Sequence, residues 1–184
     1  VVDMKAAGVE TRPLRQMTGE AEFNEVFFTD ARVPVAETLG KPGDGWRVSL
    51  TTLMNERVAI GGMIPQKASG PIREALKLWE ALPAERQSTA TRDDLMRLWI
   101  RAEVARLTNI RAGQMRKVGA PGPEGSIGKM ASADLNKDVY AFCMQLLGAD
   151  AMLYGEYAMA RPNTAMGPSG GLQKLFLRSR ANSI

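Results

Sequence analysis

The chain has 184 residues, of which 45% are hydrophobic and 24% are charged, and its formal net charge is +4 at pH 7. This composition is typical of a soluble globular protein rather than a disordered one. The sequence contains no His and one Cys, Cys143, which excludes His-based catalysis, CxxC pairs and an internal disulfide within this chain. Chemistry must therefore rest on carboxylates, Lys, Arg, hydroxyl groups or a cofactor, and we expect no metal site.

No segment has the pattern of a membrane span or an export signal. The longest uninterrupted apolar run covers residues 139–144, far short of the roughly 20 residues that a bilayer crossing needs. Residues 1–10 lack a basic region followed by an apolar one, and the single Cys suits a reducing compartment. We expect a cytoplasmic protein without a membrane partner.

Residues 1–40 have the pattern of β structure, with Gly, Pro and Asp between short apolar stretches. The segment 22–28 mixes alternation with an apolar run and predicts a half-buried strand. About 40 residues of this kind are too few to close a sheet. Because the chain also begins as if inside a strand, we expect it to be a portion of a longer protein.

Helical periodicity begins after the Gly-containing segment 41–45. Trp46, Leu50 and Leu53 recur at helical spacing, with Asp44 as the predicted N-cap. Further helices are predicted over residues 72–82, 92–118 and 124–147 and from residue 172, with Thr91 as the N-cap of the second. The pattern indicates a mainly α protein, a bundle of three or four main helices behind a β segment.

The helix over residues 124–147 has the clearest apolar stripe. The stripe consists of Ala131, Leu135, Val139, Phe142 and Leu146. This spacing is that of a packing face. Gly148 then predicts an ordinary helix end.

The basic pI, near 9.4, raises the question of nucleic-acid binding. Arginines recur along the helix predicted over residues 92–118, at Arg92, Arg97, Arg101, Arg106, Arg111 and Arg116. At about 100° per residue they point in different directions, whereas a phosphate-tracking surface keeps its cations on one side. The spacing favours a solvated or ion-paired helix, and we expect no nucleic-acid partner.

Asn55, Glu56 and Arg57 form the first candidate site. Arg57 falls within the apolar stripe of its helix, where a buried guanidinium needs an anionic partner. That partner can be a structural carboxylate, a ligand or another subunit. Glu56 lies at the edge of the stripe, where a carboxylate can serve as a base. Spacing alone favours a structural ion pair.

Together these segments resemble the acyl-CoA dehydrogenase family. The matching segments are residues 15–20, 25–34, 39–40, 43–46, 56–60, 145–148 and 178–184. Each segment alone is unspecific, but their order and intervals are specific. The resemblance implies that residues 1–40 are the incomplete end of a middle β domain. Residues 41–184 then form the C-terminal up-down four-helix bundle, without its last helix or loop.

The resemblance also implies a reaction and its partners. Family members bind FAD and oxidise an acyl-CoA thioester to the 2-enoyl-CoA, and an electron-transferring flavoprotein usually accepts the electrons. A Glu removes the α proton, and the flavin takes the β hydride. The isolated chain is expected to be inactive, because most of the flavin-cradling β domain would be absent.

The resemblance assigns the catalytic base and the substrate contacts. Glu56 matches one of two family positions for the base. The other position lies in a loop that would begin where this sequence ends, so the alternative base is expected beyond Ile184. The acyl-CoA contact segment corresponds to Met54, Asn55, Glu56 and Arg57.

The resemblance also assigns the cofactor contacts. The FAD contacts of a neighbouring subunit correspond to Gln145, Gly148 and Ala149, with Arg86 as the remnant of a second contact segment. Two departures from the family pattern concern these contacts. Ala149 and Ala151 stand where the family has glycines, and no Phe-Gly follows Arg86.

Flavin binding across subunits can therefore be weak, altered or lost. The alternatives are a homo-oligomeric enzyme and a flavin-poor assembly subunit of a heteromeric one. A basic nucleic-acid-binding module is a remote third.

Overall fold

The computed structural model describes residues 1–61, 66–119, 122–154 and 171–183, with the backbone alone at residue 55 and residues 57–61. The chain divides into two compact units. Among the described residues, the first unit holds residues 1–60 and the second holds the remainder. The fold is mainly helical with a small N-terminal sheet, which confirms the predicted fold class.

The first unit begins with a β-hairpin. Strands β1 (Val9–Leu14) and β2 (Phe23–Phe28) pair antiparallel, with Val9 opposite Phe28. Strand β2 confirms the strand predicted over residues 22–28, but the expected half-burial is wrong, since all of its residues are exposed. The reason is that the described sheet has two strands, which pair with each other.

A glycine turn precedes β1, so the expectation that the chain begins inside a strand is also wrong. Gly8 has a φ of +84°, and a Cβ at this position would lie 2.3 Å from the carbonyl oxygen of Thr29. The Thr29 backbone N–H donates to the Gly8 carbonyl oxygen at 2.8 Å. Only glycine satisfies both the conformation and the close approach.

Helix α1 (Gly45–Gly61) completes the described part of the first unit and begins as predicted. The Asp44 carbonyl accepts the Val48 N–H at 3.1 Å, which places Asp44 at the N-cap position. Its carboxylate accepts from the Lys41 backbone N–H at 3.3 Å and from the Arg47 guanidinium at 2.9 Å. Trp46, at the start of the apolar stripe, is 77% exposed.

The second unit consists of helices α2 (Pro71–Ala81), α3 (Thr89–Lys117), α4 (Glu124–Leu147) and α5 (Leu172–Ser179). Helix α4 contacts the other three, so it forms the centre of this unit. The buried cluster is formed by Ile72, Ala75, Leu95, Leu98, Leu135, Val139, Phe142, Cys143 and Leu146. None of the helices in the described ranges combines the length and the apolar content that a bilayer crossing requires.

Helix α3 begins three residues earlier than predicted. Its N-cap is Ser88, whose side chain accepts the Thr91 N–H at 3.2 Å. The prediction of Thr91 as the N-cap is therefore wrong, because Thr91 already lies in the first turn. Both residue types are favoured N-caps, and Ser88 is the one that has the extended backbone of a cap.

Several α3 arginines form ion pairs, as the spacing favoured. Arg101 bonds Asp138 of α4 at 2.7 Å, and Arg106 bonds Glu103 at 2.6 Å. The Arg106 guanidinium beside Glu103 lowers the pKa of that carboxyl. These pairs occupy cations that a nucleic-acid surface would present to phosphates.

Helix α4 has the predicted bounds, and Leu135, Val139, Phe142 and Leu146 of the predicted stripe are buried. Ala131 is exposed, so its assignment to the buried face is wrong. Three helices surround α4, and the buried arc therefore extends the other way, to Tyr140 and Cys143.

Burial of Cys143 predicts how the unit responds to alkaline pH. Burial raises the pKa of the Cys143 thiol from 9.0 to about 12. The unfolded chain loses this proton first, so stability falls as the pH rises from 9 towards 12. Thermal unfolding midpoints between about pH 8 and pH 11 are expected to fall, and to fall less steeply in Cys143→Ala.

Tyr140 contributes to the same decline, because burial raises its pKa from 10.0 to about 12. Some pH dependence therefore persists in the Cys143 variant. Identical slopes in the two proteins would contradict a titrating buried thiol. A second readout is alkylation by iodoacetamide at neutral pH, which we expect only after denaturation.

Candidate functional site

The segment predicted to contact acyl-CoA lies on the last part of α1. Met54 and Glu56 are exposed there, in a helical backbone. The predicted burial of Arg57, and the Asn55 side chain, lie outside the described side chains. The structure therefore places Glu56 on an exposed surface of helix α1.

The alternative position for the base is not reached by the structure. The described residues end at Ser183, so Ile184 lies outside them, and the loop expected beyond Ile184 is not part of the sequence. The assignment of the base to Glu56 or to a residue beyond Ile184 therefore stays a prediction with two alternatives.

The segment predicted to contact FAD lies at the end of α4. Gly148 has a φ of +63° and follows the last helical residue, which confirms the predicted helix end. Its backbone N–H donates to the carbonyl oxygens of Gln145 and Met144. The chain then continues as a 3₁₀ turn, Gly148–Met152, so the Ala149 side chain lies exposed beside the glycine.

Arg86 reaches the same place from a distant part of the chain. It ends a short 3₁₀ segment, Ala84–Arg86, and its Nη2 donates to the carbonyl oxygen of Leu146, 60 residues away. A Cβ on Gly148 would lie 3.7 Å from that nitrogen. The fold thus brings together the four predicted cofactor-binding residues, Gln145, Gly148, Ala149 and Arg86. We call this group the Arg86 corner.

A fifth residue, Gln173, also contacts this region, and the sequence did not indicate it. The Gln173 side chain, near the start of α5, donates to the carbonyl oxygen of Asp150 at 3.1 Å. Asp150 lies in the 3₁₀ turn after Gly148, so Gln173 helps to hold that turn. Its spacing in the sequence carries no signal, since it becomes a neighbour only through packing of α5 on α4.

The Arg86 corner has the chemistry of an anion site. A guanidinium carries five N–H donors in a planar fork and stays charged at all physiological pH values. Arg86, Gln145 and Ala149 are exposed, so a ligand can approach them. The residues present fit a phosphate group of a dinucleotide such as FAD, although the Ala149 methyl leaves less room than the family's glycine would.

A second polar cluster lies along α3, and the sequence did not single it out. The Glu103 carboxylate accepts two hydrogen bonds from Arg106, at 2.9 and 2.6 Å, and Lys67 lies 5.5 Å above the Trp99 ring. The Glu103 carboxylate is thus paired with Arg106, and the Lys67 ammonium group with the Trp99 ring. Within the described ranges, no three His, Cys, Asp or Glu side chains come close enough to hold a metal ion.

Both candidate segments lie within a part of the chain that matches a known protein family. Residues 43–184 match the model of the acyl-CoA dehydrogenase C-terminal domain. The chain belongs to the acyl-CoA dehydrogenase family. The resemblance inferred from the motifs is therefore confirmed.

A curated relative agrees with this membership, and solved structures share the fold. Acyl-CoA dehydrogenase FadE34 of Mycobacterium tuberculosis is 31% identical over 187 residues, which cover 100% of this chain and 26% of FadE34. The Tcur3481-Tcur3483 steroid ACAD superimposes with a TM-score of 0.72 at 21% identity, over 99% of this chain and 45% of that one.

The ChsE4-ChsE5 complex from Mycobacterium tuberculosis has the same fold. It superimposes with a TM-score of 0.68 at 24% identity, over 98% of this chain and 45% of that one. The chain thus spans about a quarter of FadE34 and less than half of each structural neighbour.

Proposed function

We propose that this chain is the C-terminal portion of an FAD-dependent acyl-CoA dehydrogenase that converts an acyl-CoA thioester to the 2-enoyl-CoA. Residues 1–40 belong to the end of the middle β domain and residues 41–184 to the helical bundle. The observation that carries the proposal is the Arg86 corner, where a cation meets a glycine turn on a fold of this family.

In this proposal residues 54–57 of helix α1 bind the substrate. The thioester carbonyl acidifies the α carbon, and Glu56 accepts the α proton. Met54, Asn55 and Arg57 contact the acyl-CoA beside it. Because Glu56 is exposed in this chain, the bound substrate has to cover it and exclude water. A base located beyond Ile184 is the alternative.

The Arg86 corner handles the cofactor. Bound FAD would accept the hydride that leaves the β carbon, and no side chain of this chain can do so. Arg86 would hold a phosphate group of FAD by charge-assisted hydrogen bonds, and Gln145 would add a neutral hydrogen bond. Because Gly148 has no side chain, the backbone of the turn could come close to the cofactor there. The methyl group of Ala149 would limit that approach. An electron-transferring flavoprotein would be the electron acceptor of the whole enzyme, and the isolated chain is expected to be inactive.

A second candidate is a flavin-poor assembly subunit of a heteromeric enzyme. It is favoured by Ala149 and Ala151, which replace glycines at the cofactor turn. Two of the solved structures with this fold each combine two protein names, Tcur3481-Tcur3483 and ChsE4-ChsE5, and the second is a complex. In this role the protein that carries the chain binds a partner subunit and retains little FAD alone.

The Arg86→Met variant tests the cofactor contact. We expect FAD affinity in the protein that carries this chain to fall about tenfold, the effect of losing one charge-assisted hydrogen bond. Flavin absorbance at about 450 nm per protein, during titration with FAD, measures the affinity. The matched control is Arg73→Met, an exposed arginine of α2.

The same titration separates the two candidate functions. Flavin retained by the protein alone, together with enoyl-CoA formation, supports the enzyme. Flavin retained only after a partner subunit is added supports the assembly subunit. Equal FAD affinity in wild type and Arg86→Met would remove Arg86 from the cofactor site, provided that thermal unfolding shows the variant to be folded.

A further inference from the structure

The Gly148–Met152 turn is not held in place by side-chain packing within the helical unit. None of its residues is buried, and Met152 is 88% exposed. Hydrogen bonds therefore have to fix its conformation. The Leu153 N–H donates to the carbonyl oxygen of Asp150 at 3.1 Å, and this bond closes the turn from within.

Gln173 adds a bond to the turn from another helix. Its Nε2 donates to the same carbonyl oxygen of Asp150, also at 3.1 Å. A carbonyl oxygen has two lone pairs, so it can accept a bond from Leu153 and a bond from Gln173 together. The second bond joins the turn to the start of α5.

Helix α5 is a firmly packed partner for the turn. Leu172, the neighbour of Gln173, packs against the buried cluster of the unit. Ser179, the last residue of the helix, is 2% exposed. Because the helix is packed at both ends, its backbone is more stable against local opening than an unpacked turn. Gln173 therefore connects the turn to a well-anchored part of the unit.

Gly171, the N-cap of α5, leaves room for the Gln173 side chain. A Cβ on Gly171 would lie 2.9 Å from Gln173 Oε1, closer than non-bonded atoms normally come. The Gly171 backbone has a φ of −68° and a ψ of −178°, which other residues can also adopt. The glycine is therefore needed for the position of the Gln173 amide rather than for its own backbone conformation.

We propose that Gln173 is a positioning residue for the cofactor, because it holds the Gly148–Met152 turn in the arrangement that receives a phosphate group of FAD. The inference rests on the proposed function of the Arg86 corner. Arg86 bonds the helix end just before Gly148, and Gln173 bonds the turn just after it. A site that is already held in its binding arrangement loses less conformational freedom when the ligand binds, which raises the affinity.

The Gln173→Met variant tests the positioning role. Methionine is also a long, unbranched side chain but has no N–H donor, so the bond to Asp150 is lost. We expect the dissociation constant for FAD, in the protein that carries this chain, to rise about threefold to tenfold, the effect of one neutral hydrogen bond. Flavin absorbance during titration with FAD measures it. The matched control is Gln114→Met, at an exposed glutamine of α3.

Hydrogen exchange in the flavin-free protein gives a readout that does not involve FAD. The amides of residues 148–153 are expected to exchange about threefold to tenfold faster in Gln173→Met than in wild type. Amides in the buried part of α4, such as that of Val139, are expected to keep their exchange rates. A general loss of stability would raise those rates as well, so the comparison separates a positioning role from a structural one.

The Gly171→Ala variant acts on the same bond without changing Gln173. Its methyl group displaces the Gln173 amide, so we expect a similar loss of FAD affinity, and no further loss when the two substitutions are combined. The control is Gly125→Ala, where a Cβ has open space around it. Additive losses in the double variant would show that Gly171 acts independently of Gln173 and would overturn the proposed arrangement.

The outcomes distinguish this inference from the proposed function. A higher dissociation constant for FAD, together with faster exchange confined to the turn, supports the inference. If wild type binds FAD and Gln173→Met matches it in affinity or in exchange, the positioning role is overturned and the proposed function stands. Wild-type protein that binds no FAD, alone or with a partner subunit, would contradict both.

Discussion

Replacement of Glu56 by Gln is expected to lower the kcat for acyl-CoA oxidation by about 10²–10⁴-fold in the protein that carries this chain, the usual contribution of a general base. The amide keeps the size of the side chain but cannot accept the α proton. Because Glu56 is exposed on α1, the substitution leaves the packing of the chain intact. The rate of enoyl-CoA formation at saturating substrate measures the effect.

Two controls make this result specific. Glu25→Gln changes another exposed carboxylate of the same unit, on β2, and is expected to leave kcat unchanged. Glu56→Asp retains the carboxylate and is expected to recover part of the activity. An unaffected kcat in Glu56→Gln would assign the base to a residue beyond Ile184 and would leave Glu56 as a substrate contact.

The Leu95→Ala variant is expected to lower the free energy of unfolding of the helical unit by about 2–5 kcal/mol. Leu95 is 1% exposed and belongs to the buried cluster formed by α2, α3 and α4. Its truncation removes apolar contacts and leaves a cavity that the three helices can only partly close. Urea denaturation followed by circular dichroism measures the change.

The matched control for this variant is Leu153→Ala. Leu153 is 68% exposed, so its truncation is expected to change stability by less than about 0.5 kcal/mol. Comparable losses in the two variants would show that burial of Leu95 is not what stabilises the unit. The slope of the free energy of unfolding against urea concentration should be the same in both variants, so that their unfolding midpoints can be compared.

The sequence by itself predicted secondary-structure elements whose bounds are set by residues close together in the chain. Helix α4 has the bounds that were predicted, residues 124–147, because apolar periodicity and a glycine that adopts positive φ both act within a few residues. The strand at residues 23–28 was likewise predicted from its own composition. The family could be recognised from the order of short motifs alone.

The extent of burial depended on neighbours and was predicted less well. The stripe on α4 was expected to include Ala131, which is exposed, since three surrounding helices turn the buried arc towards Cys143. Strand β2 was expected to be half-buried, but in a two-stranded sheet its side chains stay exposed.

Only the tertiary structure showed how the residues predicted to bind the cofactor meet. The turn at Gly148 could be predicted from local chemistry, whereas its contact with Arg86 joins positions 60 residues apart and depends on the docking of the Ala84–Arg86 segment against the end of α4. Gln173 reaches the same turn through the packing of α5. Hydrogen bonds of this range carry no periodic signal, since they form only after the helices have packed on their shared apolar core.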